Sequence, residues 1–175
     1  FESNEAMLTK IAHGGHSFDV AVPSDYAISR MQEQGMLVPL DHSLIPNLKY
    51  IDERFLDLPF DPDNKYSIPY FWGTVGIVYN QKLLDGTQIA SWNDLWDDSL
   101  RNEILLIDGA REVIGMGLNS LGYSLNETDP ERLLEAQRKL FELVPNVRAI
   151  VGDEIKMLLS TEEAGVGLVW SGEAA

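Results

Sequence analysis

The sequence predicts an α/β chain, and three observations carry that prediction. Short β-branched runs alternate with amphipathic stretches from end to end, two of those runs pass through a turn straight into a helix, and no repeat or low-complexity segment interrupts the alternation. The stretch 68–80, Ile-Pro-Tyr-Phe-Trp-Gly-Thr-Val-Gly-Ile-Val-Tyr-Asn, reads as a crossing strand around which the rest is arranged. Val75, Ile77, Val78 and Tyr79 suit a buried pleated surface, and Gly76 at the middle lets a strand leave one sheet for another. Pro69 donates no ladder hydrogen bond, so the first half is expected to be an edge or connector. Tyr70, Phe71 and Trp72 are then placed near a junction between lobes or, as clustered rings often are, in a core.

Taken in order, 5–13 is expected to be a helix with an apolar stripe of Met7, Leu8, Ile11 and Ala12, ended by Gly14-Gly15. Residues 18–22 read as a short buried strand. Pro23-Ser24-Asp25 turns it into a helix carrying Ala27, Ile28 and Met31 and stopping at Gly35. Ligands of open α/β sheets sit outside the carboxyl ends of strands, which makes Ser24, Asp25 and Tyr26 candidates. The alternative is a plain cap at Ser24 or Asp25 with Tyr26 packed beneath.

Residues 36–60, with Pro39, Pro46 and Pro59, are expected to be an irregular surface excursion, and Asp61-Pro62-Asp63-Asn64 a turn. Ser91-Trp92-Asn93-Asp94 has the form of a capping box opening a short helix, in which Trp92 and Trp96 share a core-facing side. A second strand-turn-helix unit follows at 104–121, closed by Gly122. Asp108 ends its strand, and Glu112 lies in the first helical turn, where the helix dipole favours a carboxylate. Both acids are candidates for the ligand side, the alternative being Asp108 as N-cap and Glu112 as a dipole-stabilised surface acid. Asp129-Pro130 starts a helix with Leu133, Leu134, Leu140 and Phe141 as its apolar positions. Residues 147–151 are expected as strand, 153–160 as helix and 166–170 as a last buried strand, which puts Trp170 at the same kind of strand end as Ser24 and Asp108.

The chain has 175 residues, 45% hydrophobic, and no apolar run long enough to cross a membrane. Phe1 in place of methionine and the stop at Glu173-Ala174-Ala175 lead to the expectation of a piece of a longer protein. Thirteen Lys and Arg against 28 Asp and Glu give a net charge of -15, which argues against nucleic acid and favours cationic ligands. There is no Walker loop, no Gly-x-Ser-x-Gly elbow and no dinucleotide fingerprint, so no enzyme and no cofactor is expected. His13-Gly14-Gly15-His16 and His42 lack ligand spacing, and cysteine is absent, so no metal is expected either. Asp108 and Glu112 could serve as a glycosidase pair only at a separation of at least about 5 Å across a sugar bond.

Four runs carry a family resemblance: Asp-Val-Ala-Val-Pro-Ser-Asp-Tyr at 19–26, Phe-Asp-Pro-Asp-Asn-Lys-Tyr-Ser-Ile-Pro-Tyr-Phe-Trp-Gly-Thr at 60–74, Ser-Trp-Asn-Asp-Leu-Trp at 91–96 and Leu-Ile-Asp-Gly-Ala-Arg-Glu-Val at 106–113. In these the chain resembles the spermidine/putrescine-binding proteins of bacterial polyamine ABC transporters. The resemblance implies a type II periplasmic-binding-protein fold of two lobes, 1–73 and 74–175, crossed near 68–76 and incomplete at this length. It implies capture of spermidine or putrescine outside the cytoplasm, in a periplasm or on a lipid anchor, and delivery to a membrane permease. It carries Ser24, Tyr26, Glu112 and Trp170 over as ligand residues, with Asp25, Trp72 and Asp108 as further candidates. Some members have aspartate where this chain has Gly109, leaving Asp108 as its replacement or the site one carboxylate short. Another small ligand, a sugar or a different cation, and an enzyme or regulator of the same architecture are the alternatives.

Overall fold

The computed structural model describes residue 1, residues 3–14 and residues 18–174. Gly15 and His16 of the His-Gly-Gly-His run, and Ala175, lie outside the described residues. The chain divides into two compact units, Phe1–Trp72 and Gly73–Ala175. Among the described residues, no helix is long and apolar enough to cross a membrane.

The first unit is built on two helices. Helix α1 (Asn4–Ala12) starts where the Ser3 hydroxyl accepts the Ala6 N–H, and helix α2 (Asp25–Glu33) ends before Gly35, which adopts a φ of 65°. Met7 and Leu8 of α1 pack with Ala27 and Met31 of α2, and Ile11 supports them, but Ala12 points to solvent. The expected strand at 18–22 does not form. Phe18, Val20 and Val22 are exposed, Val20 by 81%, because a β-rich segment without a paired neighbour keeps its backbone and side chains in water. The excursion at 36–60 is irregular as expected, with short 3-10 turns at His42–Leu44, Pro46–Tyr50 and Glu53–Phe55 joined by irregular links. The turn after it, Pro62–Asn64, is tied down by the buried Asp61 carboxylate, which accepts from the Ser67 hydroxyl at 2.6 Å and the Ser67 and Tyr66 N–H groups at 2.7 and 3.1 Å.

The second unit holds the sheet, in the order β1-β4-β2-β3, formed by β1 (Val75–Tyr79), β2 (Ile104–Ile107), β3 (Val147–Val151) and β4 (Val166–Trp170). Strand β2 runs parallel to β3 and β4, and β1 runs antiparallel to β4. The crossing strand is therefore shorter than the run 68–80 suggests. Residues 68–74 join no sheet, consistent with Pro69 lacking a donor, and β1 stays in one sheet despite Gly76.

Strand β2 is buried along its length, and its Ile-Leu-Leu-Ile run has the continuous apolar character that a parallel strand covered on both faces requires. Helices α3 (Ala110–Ser120), α4 (Pro130–Leu143) and α5 (Ile155–Ser160) complete the unit. On α4 the inward positions are Leu133, Ala136, Leu140 and Leu143, a three-four-three spacing, while Leu134 and Phe141 are exposed. Gly117 of α3 gives Leu140 its room, since a Cβ there would stand 2.9 Å from Leu140 Cγ. The Ser91 box does form, with Asp94 Oδ2 accepting the Ala90 and Ser91 N–H groups at 2.8 Å. The helix it opens, Trp92–Trp96, is 3-10: Leu95 is fully buried, and Trp92 and Trp96, half-buried, both pack against the core of the unit as expected.

Candidate functional site

In the first unit the candidates stand at the start of α2. Ser24 has extended backbone angles (φ -74°, ψ 163°) and occupies the N-cap position, but its hydroxyl makes no cap. Instead Ser24 is bound by Asn4 across 20 residues of chain: Asn4 Nδ2 donates to Ser24 Oγ at 3.0 Å, and Ser24 N–H donates to Asn4 Oδ1 at 3.0 Å. Tyr26 packs on the Met7–Met31 cluster, and its hydroxyl donates to Glu5 Oε1 at 2.9 Å. The plain-cap reading thus fails for Ser24 and holds only for the packing of Tyr26. Asp25 is exposed, and its Oδ1 accepts the Tyr26 N–H. No strand precedes Ser24, so it does not share the strand-end setting of Asp108 and Trp170.

The aromatic run closes this unit in the open. Tyr70, Phe71 and Trp72 are 70–81% exposed, which overturns a core role for them. Trp72 lies 5.5 Å from the Phe55 ring, and Tyr70 lies 4.2 Å from Phe71.

In the second unit Asp108 and Trp170 stand at the carboxyl ends of β2 and β4, the two central strands of the sheet. Strands β2 and β4 run parallel, Ile104 opposite Val166 and Leu105 opposite Gly167; Asp108 follows the last residue of β2, and Trp170 is the last residue of β4. Asp108 N–H donates to Val151 O at 2.8 Å, and Asp108 itself is exposed. Trp170 is 38% exposed and pairs with Val75, where β1 begins. Just past that pair Thr74 and Ser171 bond each other: Ser171 N–H to Thr74 O at 2.8 Å and Thr74 N–H to Ser171 Oγ at 3.2 Å.

The cap of α3 is Gly109, not Asp108. Glu112 is the third helical residue, and its side chain turns back along the helix so that its carboxylate lies against Gly109, where an added Cβ would overlap Oε2 and stand 3.0 Å from Cδ. That is the posture of a capping-box acid, a negative charge held over the positive end of the helix. Gly109 therefore does more than lack a carboxylate: its bare backbone is what admits this rotamer.

Sequence reasoning missed Asn4 and Glu5, which carry no motif and find their partners only once α1 and α2 pack. It also missed Asp61, whose three donors lie within seven residues of it and whose Asp-Pro-Asp-Asn setting was a usable signal of a turn. A concavity of about 560 Å³ lined by Tyr79, Lys82, Leu159 and Gly165 lies at the opposite end of the sheet from Trp170 and brings together none of the candidates. His13 bonds Thr9 O and His42 bonds Asn64 O through their rings, and among the described residues no group of three or more His, Asp or Glu is placed to hold a metal.

Residues 2–175 match the family model described as bacterial extracellular solute-binding protein. The spermidine/putrescine-binding periplasmic protein of Salmonella typhimurium is 41% identical over 99% of this chain and 50% of its own length. A structure assigned to a spermidine/putrescine ABC transporter of Listeria monocytogenes is 62% identical, with a TM-score of 0.95 over 100% of this chain and 54% of that one. The TpPotD lipoprotein of Treponema pallidum superposes at 0.87 with 28% identity over 99% of this chain and 54% of that one. The chain spans about half the length of the curated relatives it matches.

Proposed function

As the chain belongs to the family of bacterial extracellular solute-binding proteins, with the α/β fold of type II periplasmic binding proteins, we propose that the full-length protein captures spermidine or putrescine. On this reading it works outside the cytoplasm, in a periplasm or on a lipid anchor, hands its ligand to the permease of an ABC transporter and catalyses no reaction. Residues 1–73 are assigned to one lobe and 74–175 to the other, with 68–76 as the crossing segment.

What supports the proposal is the pair of parallel strands whose carboxyl ends lead to Asp108 and Trp170, with Glu112 in the first turn of the helix that follows Asp108. A linear polyamine is a row of ammonium groups joined by methylenes. It calls for carboxylates to pair with the charges and for aromatic faces to cover the carbons while attracting the cation, at about 0.5–2 kcal/mol per ring. Glu112 and Asp108 supply the first kind of group and Trp170 the second. Ser24 and Tyr26 supply hydroxyl oxygens to an ammonium, with Asp25 and Trp72 as outer members of the same set. The surplus of acids, 28 against 13 basic residues, raises the local concentration of such ligands.

Calorimetric titration of the full-length protein with spermidine, putrescine and a neutral sugar tests this. Saturable heat with either polyamine and none with the sugar is expected; sugar binding without polyamine binding would replace the proposal with the sugar reading.

A further inference from the structure

We infer that Glu5 is a positioning residue for ligand capture, a carboxylate that acts through the hydroxyl of Tyr26; the inference rests on Tyr26 being a ligand residue. Glu5 is the second residue of α1, and Oε1 sits 2.9 Å from the Tyr26 hydroxyl, in a half-buried contact that spans 21 residues of chain. A carboxylate has no proton to give, so the phenol is the donor and its single proton is committed to Glu5. What Tyr26 can then offer a ligand is oxygen lone pairs. An ammonium group has three donors and no acceptor, so it matches that offer, whereas a ligand needing a donor from Tyr26 does not.

The charge behind the bond strengthens the match. Hydrogen bonds to an ionised acceptor are about twice as strong as neutral ones, and a chain of carboxylate, phenol and ammonium polarises the phenol oxygen toward the cation. Partial burial keeps water from screening Glu5 as fully as it would a surface acid. Its neighbour does parallel work by position alone: both ends of the Asn4 amide are bonded to Ser24. The first turn of α1 thus holds both hydroxyls of the Ser-x-Tyr motif, one through an amide and one through a charge.

The test measures spermidine affinity of the full-length protein by calorimetry for Glu5→Gln, Tyr26→Phe and the double variant, beside their thermal melts. Glutamine keeps an oxygen to accept the phenol proton and removes only the charge. Tyr26→Phe is expected to weaken binding about tenfold and Glu5→Gln about fivefold, with the double variant no weaker than Tyr26→Phe alone. If Tyr26→Phe weakens binding and Glu5→Gln does not, the inference fails while the polyamine reading stands. If Tyr26→Phe binds normally, Tyr26 is not a ligand residue and the inference falls with it. A Glu5→Gln loss that persists in full in the Tyr26→Phe background also overturns it, since the charge would then act by another route. Should Glu5→Gln lower the melting temperature, salt dependence decides: a charge role makes the affinity of Glu5→Gln less salt-sensitive than that of the parent, and parallel salt curves mean that Glu5 is only structural.

Discussion

The two units of this chain have similar β-rich and apolar stretches and use them differently. In Gly73–Ala175 one core gathers fifteen buried residues, from Leu84 to Val169, around four paired strands. In Phe1–Trp72 the described core is Met7, Leu8, Ala27 and Met31, and Val20, Val22 and Val38 stand 68–81% exposed. Val20-Ala21-Val22 is no poorer a strand sequence than Val166-Gly167-Leu168-Val169. The second has β1 and β2 on either side, and the first has no strand beside it among the described residues. Strand formation is thus a property of the pair, because an unpaired backbone gains nothing from being extended.

The sharpest way to break that comparison is to remove one apolar side chain from each segment. Leu105→Ala, at a site 1% exposed in the middle of β2, should cost about 2–5 kcal/mol in a denaturant titration of this chain. Val20→Ala should stay within about 0.5 kcal/mol of the parent. If Val20→Ala rivals Leu105→Ala, residues 18–22 pack as a strand in solution and the contrast between the units is wrong.

The same contrast explains what could be read from the sequence. Strands 104–107, 147–151 and 166–170 were legible as short apolar runs separated by helical stretches, one of which has a recognisable start at Asp129-Pro130, whose aspartate accepts the Glu131 N–H at 2.9 Å. The segment 18–22 was misread because composition reports what a strand would bury and not whether a neighbour exists. The packing of Trp92 and Trp96 against the core was legible from their spacing; that Leu95 between them is the fully buried residue was not, because it depends on a turn of 3.0 residues. The position of Glu112 in a first helical turn was visible, but its contact with Gly109 depends on a rotamer, and the bond from Tyr26 to Glu5 depends on how two helices pack.

A second prediction concerns the turn from β2 into α3 in the second unit. With Gly109 as the cap, Asp108 has no capping duty to lose, so Asp108→Asn should leave folding nearly unchanged. In the full-length protein Glu112→Gln should cost at least about 2 kcal/mol in spermidine binding, the loss expected when one member of a desolvated charge pair is removed. Asp108→Asn should cost less. Dissociation constants measured beside thermal melts check both, and the reverse order would move the ligand carboxylate from Glu112 to Asp108.

The smallest effect expected is acid sensitivity, and it too divides between the units. Asp94 is held below the ordinary carboxylate range first by the Ala90 N–H and then by the Ser91 N–H, and Glu127 first by Arg132 and then by the Asp129 and Thr128 N–H groups. In the first unit Asp41 is lowered chiefly by the Ser43 hydroxyl and Asp52 chiefly by Arg54. All four have folded values below their unfolded ones, so the stability they add is complete above the unfolded values of about 3.9 for Asp and 4.3 for Glu. It is lost as pH falls through the lowered folded values. The melting temperature should therefore be flat from pH 7 to about pH 5 on account of these groups and fall below about pH 4. Asp94 closes the turn that carries the fully buried Leu95, whereas Asp41 and Asp52 close turns in which no residue is buried. Asp94→Asn should then flatten the acid limb of the second unit, followed by tryptophan fluorescence at Trp92 and Trp96, more than Asp41→Asn flattens that of the first, followed by hydrogen exchange of 42–50. Equal flattening would mean that these carboxylates act as isolated surface caps and that the packing beneath Asp94 adds nothing to its effect.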